Sequence, residues 1–386
     1  MNIGIDARWI FPRISGIGRV TEKLIQHLGE IDGENRYYLF FEREELKEKY
    51  RRRWERHLNL EPVLVPWPLF SPISQLAFPR FLRRFDLDVF HSPNYLLPLL
   101  LRGPRVVVTI HDLIPFKFPH FTPRAKKTRF HFAFRWVLRR CVRKADQVIA
   151  VSRRTRQDVM DCLGLKSEKI AVVYNGVNDG YRPLDPEIVA PLLREKFGLS
   201  GNYILFVGRF DPYKNVVGLI RAYQKFREET GADRKLVIAG HRDPRYPEAL
   251  EEVKALGLFS EVVFLDGLDE DDLLYLYNGA LVLAFPSFYE GFGLPPLEAM
   301  ACGIPVICSD RGALPEVVGD AALMVDPDEE ESIARALRRI HADRGLRGEL
   351  KKKGLERAKK FSWRHTAEET LNVYKRLVEA GGTKWS

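Results

Sequence analysis

Apolar runs of three to five residues alternate along this chain with longer stretches of amphipathic, helix-like pattern. The short runs read as strands buried on both faces and the longer ones as helices covering them. In the first half, strands are expected at Asn2–Ile5, Tyr37–Phe41, Val63–Val65, Val89–His91, Val106–Ile110, Gln147–Val151 and Ala171–Val173. In the second half they are expected at Tyr203–Val207, Lys235–Ala239, Val262–Leu265, Leu281–Phe285, Pro305–Cys308 and Ala322–Val325. Helical patterns stand between them at Arg19–Leu28, Val216–Thr230, Pro247–Leu256 and Glu330–His341. Strands alternating with helices make parallel sheets, and two consecutive sets imply an α/β chain of two doubly wound domains. Ligands of such sheets bind outside the carboxyl ends of the strands, so chemistry is sought in the loops that follow them.

The boundary falls in Tyr174-Asn175-Gly176-Val177-Asn178-Asp179-Gly180-Tyr181-Arg182-Pro183, where Asn-Gly, Asp-Gly and proline are turn chemistry. Residues 1–180 then form the first domain and 190–361 the second. Residues 364–380 read as a final amphipathic helix that packs back on the first domain. A length of 386 residues suits this division.

Composition narrows the class. Hydrophobic residues make up 45% of the chain, enough for packed cores, yet no apolar run reaches the length of a membrane span. The start, MNIGIDARWIF, lacks the basic and apolar blocks of a signal peptide, so a cytoplasmic address is expected. Cys141, Cys162, Cys302 and Cys308 form no C-x-x-C pair and read as reduced, mostly buried thiols. Charge is uneven: Lys+Arg minus Asp+Glu is 33 − 21 = +12 over residues 1–190 and 28 − 31 = −3 over the rest. Residues 122–145 hold nine of the basic residues and no acid. That stretch reads either as a helix with one solvated basic face or as a surface for anionic lipid at the inner membrane face. Nucleic acid is disfavoured, because Phe130, Phe132, Phe134 and Trp136 read as core-facing rather than as a stacking platform.

The most informative stretch is YEGFGLPPLEAM, residues 289–300. It follows the strand-like ALVLAFPS and opens a short helix that ends at Gly303. Gly291 and Gly293 let backbone N–H groups approach a ligand, and a helix start favours phosphate. Glu290 in the loop and Glu298 in the first helical turn face one crevice, where carboxylates accept from sugar hydroxyls. Glycines for phosphate flanked by acids for hydroxyls describe a sugar nucleotide.

Glu290–Glu298 matches the E-x7-E signature, and EGFGLPPLEAMACGIPVICSD as a whole resembles the pattern of retaining glycosyltransferases of family 4, with the GT-B fold. The resemblance spans essentially the whole chain. It implies two Rossmann-like domains facing a central cleft. It implies that Glu290 meets the donor sugar and Glu298 the nucleotide ribose, with the backbone of Phe292, Gly293 and Leu294 near sugar and diphosphate. Within the family, HDLIP and the glutamate loop look most like mannosyl- and rhamnosyltransferases of surface polysaccharide assembly, with GDP-mannose as donor.

A departing nucleoside diphosphate needs positive charge. Asp86-Leu87-Asp88 precedes its strand instead of following one and is dismissed as a metal motif; no His/Cys cluster has metal spacing, so no metal or cofactor is expected. In YILFVGRFDPYKN, Arg209 ends a strand and Lys214 follows five residues later, two phosphate ligands that resemble the family's pyrophosphate-binding pair. Gly16 and Gly18 follow the first strand and open a helix, a second phosphate-friendly turn, although Ser15 stands where the family commonly has another glycine. His111 ends a buried strand, and by resemblance it positions the donor sugar. Gly267 and Leu268, after another strand, are expected beside the nucleotide base. The expected activity is retaining, metal-independent transfer of a hexose to a saccharide or lipid-linked acceptor. The rivals are a sugar-nucleotide epimerase of the same architecture and a non-catalytic membrane-associated scaffold.

Overall fold

A computed structural model describes residues 1–12, 16–121 and 131–380, with only the backbone of His131. Its described residues fall into two units. The first takes the chain up to Phe116, the stretch from His131 to Gly176, and the end of the chain from Trp363. The second takes Val177 to Ser362 together with Lys117 to Phe121.

The first unit is built on a seven-stranded parallel sheet: β1 (Asn2–Ile5), β2 (Arg36–Phe41), β3 (Leu60–Leu64), β4 (Val89–Ser92), β5 (Arg105–Ile110), β6 (Gln147–Ala150) and β7 (Ile170–Val172). The order is β3-β2-β1-β4-β5-β6-β7. Strand alternation explains why the sheet is covered on both faces. Tyr37, Leu39 and Phe41 enter one core with Ile3, Ile5, Leu24 and Leu28, whereas Tyr38 and Phe40 enter the other with Phe78, Phe90 and Leu138. The final helix, Trp363–Glu379, lies on the Gly16–Ile31 helix. Tyr374 anchors it: its hydroxyl sits 2.6 Å from Nδ1 of the fully buried His91, whose Nε2 meets Thr109 Oγ1 at 2.8 Å.

The second unit holds a six-stranded parallel sheet of β8 (Tyr203–Val207), β9 (Leu236–Ala239), β10 (Val262–Leu265), β11 (Ala280–Phe285), β12 (Val306–Ser309) and β13 (Leu323–Val325). Its order, β10-β9-β8-β11-β12-β13, reverses direction between β8 and β11. Every residue of β8 is buried, and the Val216–Thr230 helix lays Leu219, Ile220, Tyr223 and Phe226 against the sheet. Truncating any of these core side chains costs about 2–5 kcal/mol.

All thirteen anticipated strands are present, with ends displaced by three residues at most. Two readings are corrected. Phe132 and Trp136, on the His131–Lys144 helix, are exposed (88% and 54%), and the core face of that helix is instead Leu138, Cys141 and Val142. Residues 122–130 of the basic stretch lie outside the described residues. Lys117 to Phe121, expected in the first domain, goes with the second unit, where Phe118 packs on Tyr289 (4.9 Å between centroids) and Phe121 stacks on Phe288 (5.1 Å).

Candidate active site

The loops after β8 and β11 leave neighbouring strands at the point where the second sheet's order reverses, the place where open α/β sheets hold ligands. After β8 the chain passes Gly208, Arg209 and Asp211 and makes a tight turn, Pro212–Lys214. After β11 it passes Ser287, Phe288 and Tyr289 to Glu290. Phe288 N–H donates to the Tyr213 carbonyl at 2.8 Å and fastens the two loops together. As a result the Lys214 ammonium lies 2.6 Å from Glu290 Oε1, with both side chains almost buried (13% and 11% exposed). The Phe285 ring stands 5.0 Å from the same ammonium and shields it from water.

Glu290 is also held through its backbone. Ala313 N–H donates to its carbonyl at 3.0 Å. The preceding Gly312 has φ +63°, and a Cβ there would stand 2.6 Å from Glu290 O. Only glycine suits that spot, because both the backbone angle and the space exclude a side chain.

Gly291 and Phe292 lead into the Leu294–Ala301 helix, which Gly293 opens with φ +111°. A Cβ on Gly293 would press on Leu314 Cδ2 at 2.6 Å. The Phe292 side chain turns inward against Phe361, 6.0 Å between centroids, so what it leaves to the site is backbone. Pro295 and Pro296 occupy the next helical positions and carry no N–H, so the donors of this helix start reduce to those of Leu294 and Leu297.

Glu298 is the fifth residue of that helix and not in its first turn, as the sequence suggested. It is 4% exposed, and the Tyr277 hydroxyl donates to its Oε2 at 2.7 Å. Tyr277 is wholly buried on the Glu270–Gly279 helix, which an Asp269–Asp272 capping box starts. Burial and the neighbouring Glu298 carboxylate push the Tyr277 phenol well above its usual range, so it stays a proton donor.

Arg209 is half-exposed, and two acids aim it. Its Nε meets Asp211 Oδ2 at 2.9 Å, and Nη2 lies 3.6 Å from Asp243 Oδ2. Asp243 is itself gripped by Arg245 at 2.5 Å, and chiefly that contact holds its carboxyl down at about 2. Burial moves Asp211 upward despite Arg209 and Lys214 nearby. Gly267 (φ +75°) and Leu268 follow β10 on the same edge of the sheet, and Gly267 N–H donates to Asp266 Oδ1 at 2.7 Å. Arg209, Lys214, Glu290, Gly293 and Glu298 are therefore all positioned by the β8 and β11 loops or by the short helix that follows.

The remaining candidates belong to the first unit. Gly16 opens the Gly16–Ile31 helix and Gly18 lies in its first turn, while Ser15 falls outside the described residues. His111 follows β5, and its Nε2 sits 2.9 Å from the Pro93 carbonyl. A carbonyl only accepts, so the proton is on Nε2 and the neutral ring presents Nδ1 as an acceptor. Burial lowers the ring's pKa and favours that neutral form. Asp88 Oδ2, from the dismissed Asp-x-Asp, accepts from the Asn2 N–H at 2.8 Å beside the sheet.

Four partners of the site escaped the sequence reading: Tyr277, Asp211, Asp243 and Gly312. Asp211 stands two residues after Arg209, and Gly312 sits in a Ser-Asp-Arg-Gly turn, so each had a local signal. Tyr277 had none, because within LLYLYNG it reads as core.

Two Rossmann-like units of this kind are the architecture of GT-B glycosyltransferases. Residues 14–181 match the model of Glycosyltransferase Family 4, and residues 191–357 match that of Glycosyl transferases group 1. O-antigen chain mannosyltransferase B of Escherichia coli is 32% identical over 375 residues, covering 94% of this chain and 97% of that protein. O-antigen chain mannosyltransferase RfbU of Salmonella typhimurium is 32% identical over 283 residues, 73% of this chain and 72% of its own. The crystal structure of Anabaena HepE with UDP-glucose superposes with a TM-score of 0.77 at 18% identity, over 97% of this chain and all of the other. The chain belongs to glycosyltransferase family 4 and is a glycosyltransferase. Among its described residues no helix is long and apolar enough to cross a membrane.

Proposed function

We propose that this glycosyltransferase moves mannose from GDP-mannose to a saccharide or lipid-linked acceptor in cell-surface polysaccharide synthesis, with retention of configuration and without a metal. The observation that carries the reading is the convergence of Arg209, Lys214 and Glu290 at the β8/β11 reversal, next to a buried Glu298. Arg209 and Lys214 are cationic side chains where a diphosphate would lie, and they offset the charge that grows on it as the glycosidic bond breaks. Gly293 and Leu294 bring backbone close to the same group. Glu290 accepts from hydroxyls of the donor sugar and Glu298 from the ribose. Gly267 and Leu268 lie along the base, and Gly16, Gly18 and His111, the last through its Nδ1 acceptor, are assigned to donor binding. The mannosyl choice is supported by the relatives just described, which carry that activity in their names.

The basic first half suits an anionic or lipid-linked acceptor. Exposed Phe132 and Trp136, with Arg140 5.4 Å over the Trp136 ring, support peripheral contact with an anionic membrane.

The test is a thermal-shift screen of nucleotide sugars followed by product analysis. GDP-mannose should raise the melting temperature more than UDP-glucose, because a ligand of the folded state stabilises it by mass action. The transferred mannose should be α-linked. A β-linked product overturns retention, and free GDP with an altered sugar in the absence of acceptor means an epimerase. No shift with any nucleotide sugar defeats the proposal.

A further inference from the structure

The first unit carries a basin of about 650 Å³ at the amino ends of β6 and β7. His111 leaves the carboxyl end of β5, and β6 runs parallel to β5, so the basin lies at the opposite edge of the sheet from that residue. Arg143, Lys144, Lys166 and Lys169 line it, against two acids, Asp146 and Glu168.

Local structure explains why cations gather there. The helices His131–Lys144 and Arg153–Leu163 both end at the basin, and the carbonyls of a helix end draw positive charge. Lys169 Nζ donates to the Arg143 carbonyl at 2.7 Å, and Lys144 Nζ to the Leu101 carbonyl at 2.6 Å. Each of these bonds takes one of the three donors on its ammonium and leaves the charge unneutralised. Asp146 is committed elsewhere: its Oδ1 meets Arg105 Nη1 at 3.1 Å, and its Oδ2 accepts from the Val106 N–H at 2.7 Å. Among the described residues no carboxylate stands within ion-pair distance of Lys144 or Lys169. Both side chains are half-buried, and that burial lowers the pKa of each ammonium, with Arg102 adding to the push on Lys144. Two half-buried cations without a counter-charge, in one basin, are a place where an anion is missing.

A phosphate ester fits this charge pattern, because its several acceptor oxygens can meet more than one ammonium at once. The basin has the volume of a small-molecule site and so has room for a body attached to the phosphate. The exposed Glu168 carboxylate accepts from hydroxyls on that body. Independently of what the second unit binds, we propose that the basin is a site for a polyol phosphate, either a soluble sugar phosphate or the phosphoglycerol head of an anionic lipid. Lys144 and Lys169 hold the phosphate, with Arg143 and Lys166 adding charge at the surface.

The experiment titrates glucose 6-phosphate into the full chain by calorimetry, beside flotation with phosphatidylglycerol vesicles. A soluble source predicts saturable binding of glucose 6-phosphate that weakens with added salt. Lys144→Gln and Lys169→Gln keep a donor for the carbonyl and remove the charge. Each should weaken the binding about tenfold to a hundredfold, the worth of a charge-assisted hydrogen bond. Lys166→Glu alters an exposed side chain, so the ligand-free protein should melt as wild type does while binding weakens about two- to fivefold. Lys214→Met should bind glucose 6-phosphate as tightly as wild type. A lipid source predicts little binding of glucose 6-phosphate, and vesicle binding that falls about tenfold in Lys144→Gln and Lys169→Gln. If Lys214→Met abolishes binding and the two basin variants do not, the phosphate sits in the second unit and the basin is no site. The proposal is equally overturned if wild type binds neither probe, or if Lys144→Gln and Lys169→Gln match wild type with both.

Discussion

The Lys214 ammonium and Glu290 Oε1 are 2.6 Å apart, and neither side chain is more than 13% exposed. In the free protein the group proposed for the diphosphate and the group proposed for the sugar neutralise one another. On that proposal a bound diphosphate would compete for Lys214 and release the carboxylate toward sugar hydroxyls, so that occupancy of one subsite would prepare the other. Glu290→Gln keeps the shape but weakens the acceptor, and it should cut kcat by about tenfold to a hundredfold, the range of one charge-assisted hydrogen bond. GDP affinity should stay within about threefold of wild type. Lys214→Met should instead depress both, since it strands a buried carboxylate. Steady-state kinetics with a GDP titration separates the two. Equal losses in both parameters for Glu290→Gln would refute the division of labour.

Tyr277 has no path to a ligand except through Glu298. Its hydroxyl donates to Oε2 at 2.7 Å from full burial, so it orients the carboxylate. Tyr277→Phe should raise the KM for nucleotide sugar about tenfold to a hundredfold with little change in kcat, because a hydrogen bond to a charged group is worth about 1.5–3 kcal/mol. Glu298→Ala should weaken nucleotide-sugar binding at least as far. If the Phe variant lowers kcat and leaves KM alone, Tyr277 does something other than hold Glu298.

Much of this was legible in the residues. Buried parallel strands announce themselves as continuous apolar runs, which is why YILFV and ALVLAF could be placed closely. The glutamate loop was legible for a similar reason, since its glycines and prolines are local backbone chemistry. Long-range choices were not. Whether Phe132 faces solvent or core depends on which side of its helix meets the sheet, and an amphipathic pattern with aromatics on two sides leaves that open. The union of Phe118 and Phe121 with Tyr289 and Phe288 spans over 160 residues of sequence and leaves no mark in either segment alone. Tyr277 looked like ordinary core because it is core, apart from one hydroxyl.

His91 gives the first unit a pH dependence. It is fully buried between Tyr374 and Thr109, and burial, with a smaller push from His111, lowers its pKa from 6.5 to about 3. The folded state therefore holds the ring neutral while the unfolded chain takes up a proton below pH 6.5. Stability is complete above that pH and falls as pH drops toward the folded value, by about 1.4 kcal/mol per pH unit. The Tyr374 phenol is itself pushed far upward by burial and does not titrate there. His91→Gln should be less stable at pH 7.5 yet lose less stability between pH 6.5 and 4.5 than wild type. Chemical denaturation at stepped pH measures both slopes, and parallel slopes would contradict the assignment. His111, also shifted downward by burial, remains in both proteins and cancels.

Arg209 tests the claim that fixed cations serve the leaving group. Asp211 at 2.9 Å and Asp243 at 3.6 Å aim its guanidinium, and Arg245 keeps Asp243 ionised. This geometry is present without a ligand, so on the proposed reading the charge at the diphosphate would not depend on recruiting an ion. Transfer by wild type should persist in excess EDTA. Arg209→Met should lose about tenfold to a hundredfold in kcat/KM, and adding Mg²⁺ or Mn²⁺ should not restore it. Asp243→Asn, which loosens the aim but keeps the cation, should fall between wild type and Arg209→Met. Activity abolished by EDTA and recovered with a divalent ion would move the work from Arg209 and Lys214 to a metal, and full activity in Arg209→Met would leave Lys214 as the sole cation the reaction uses.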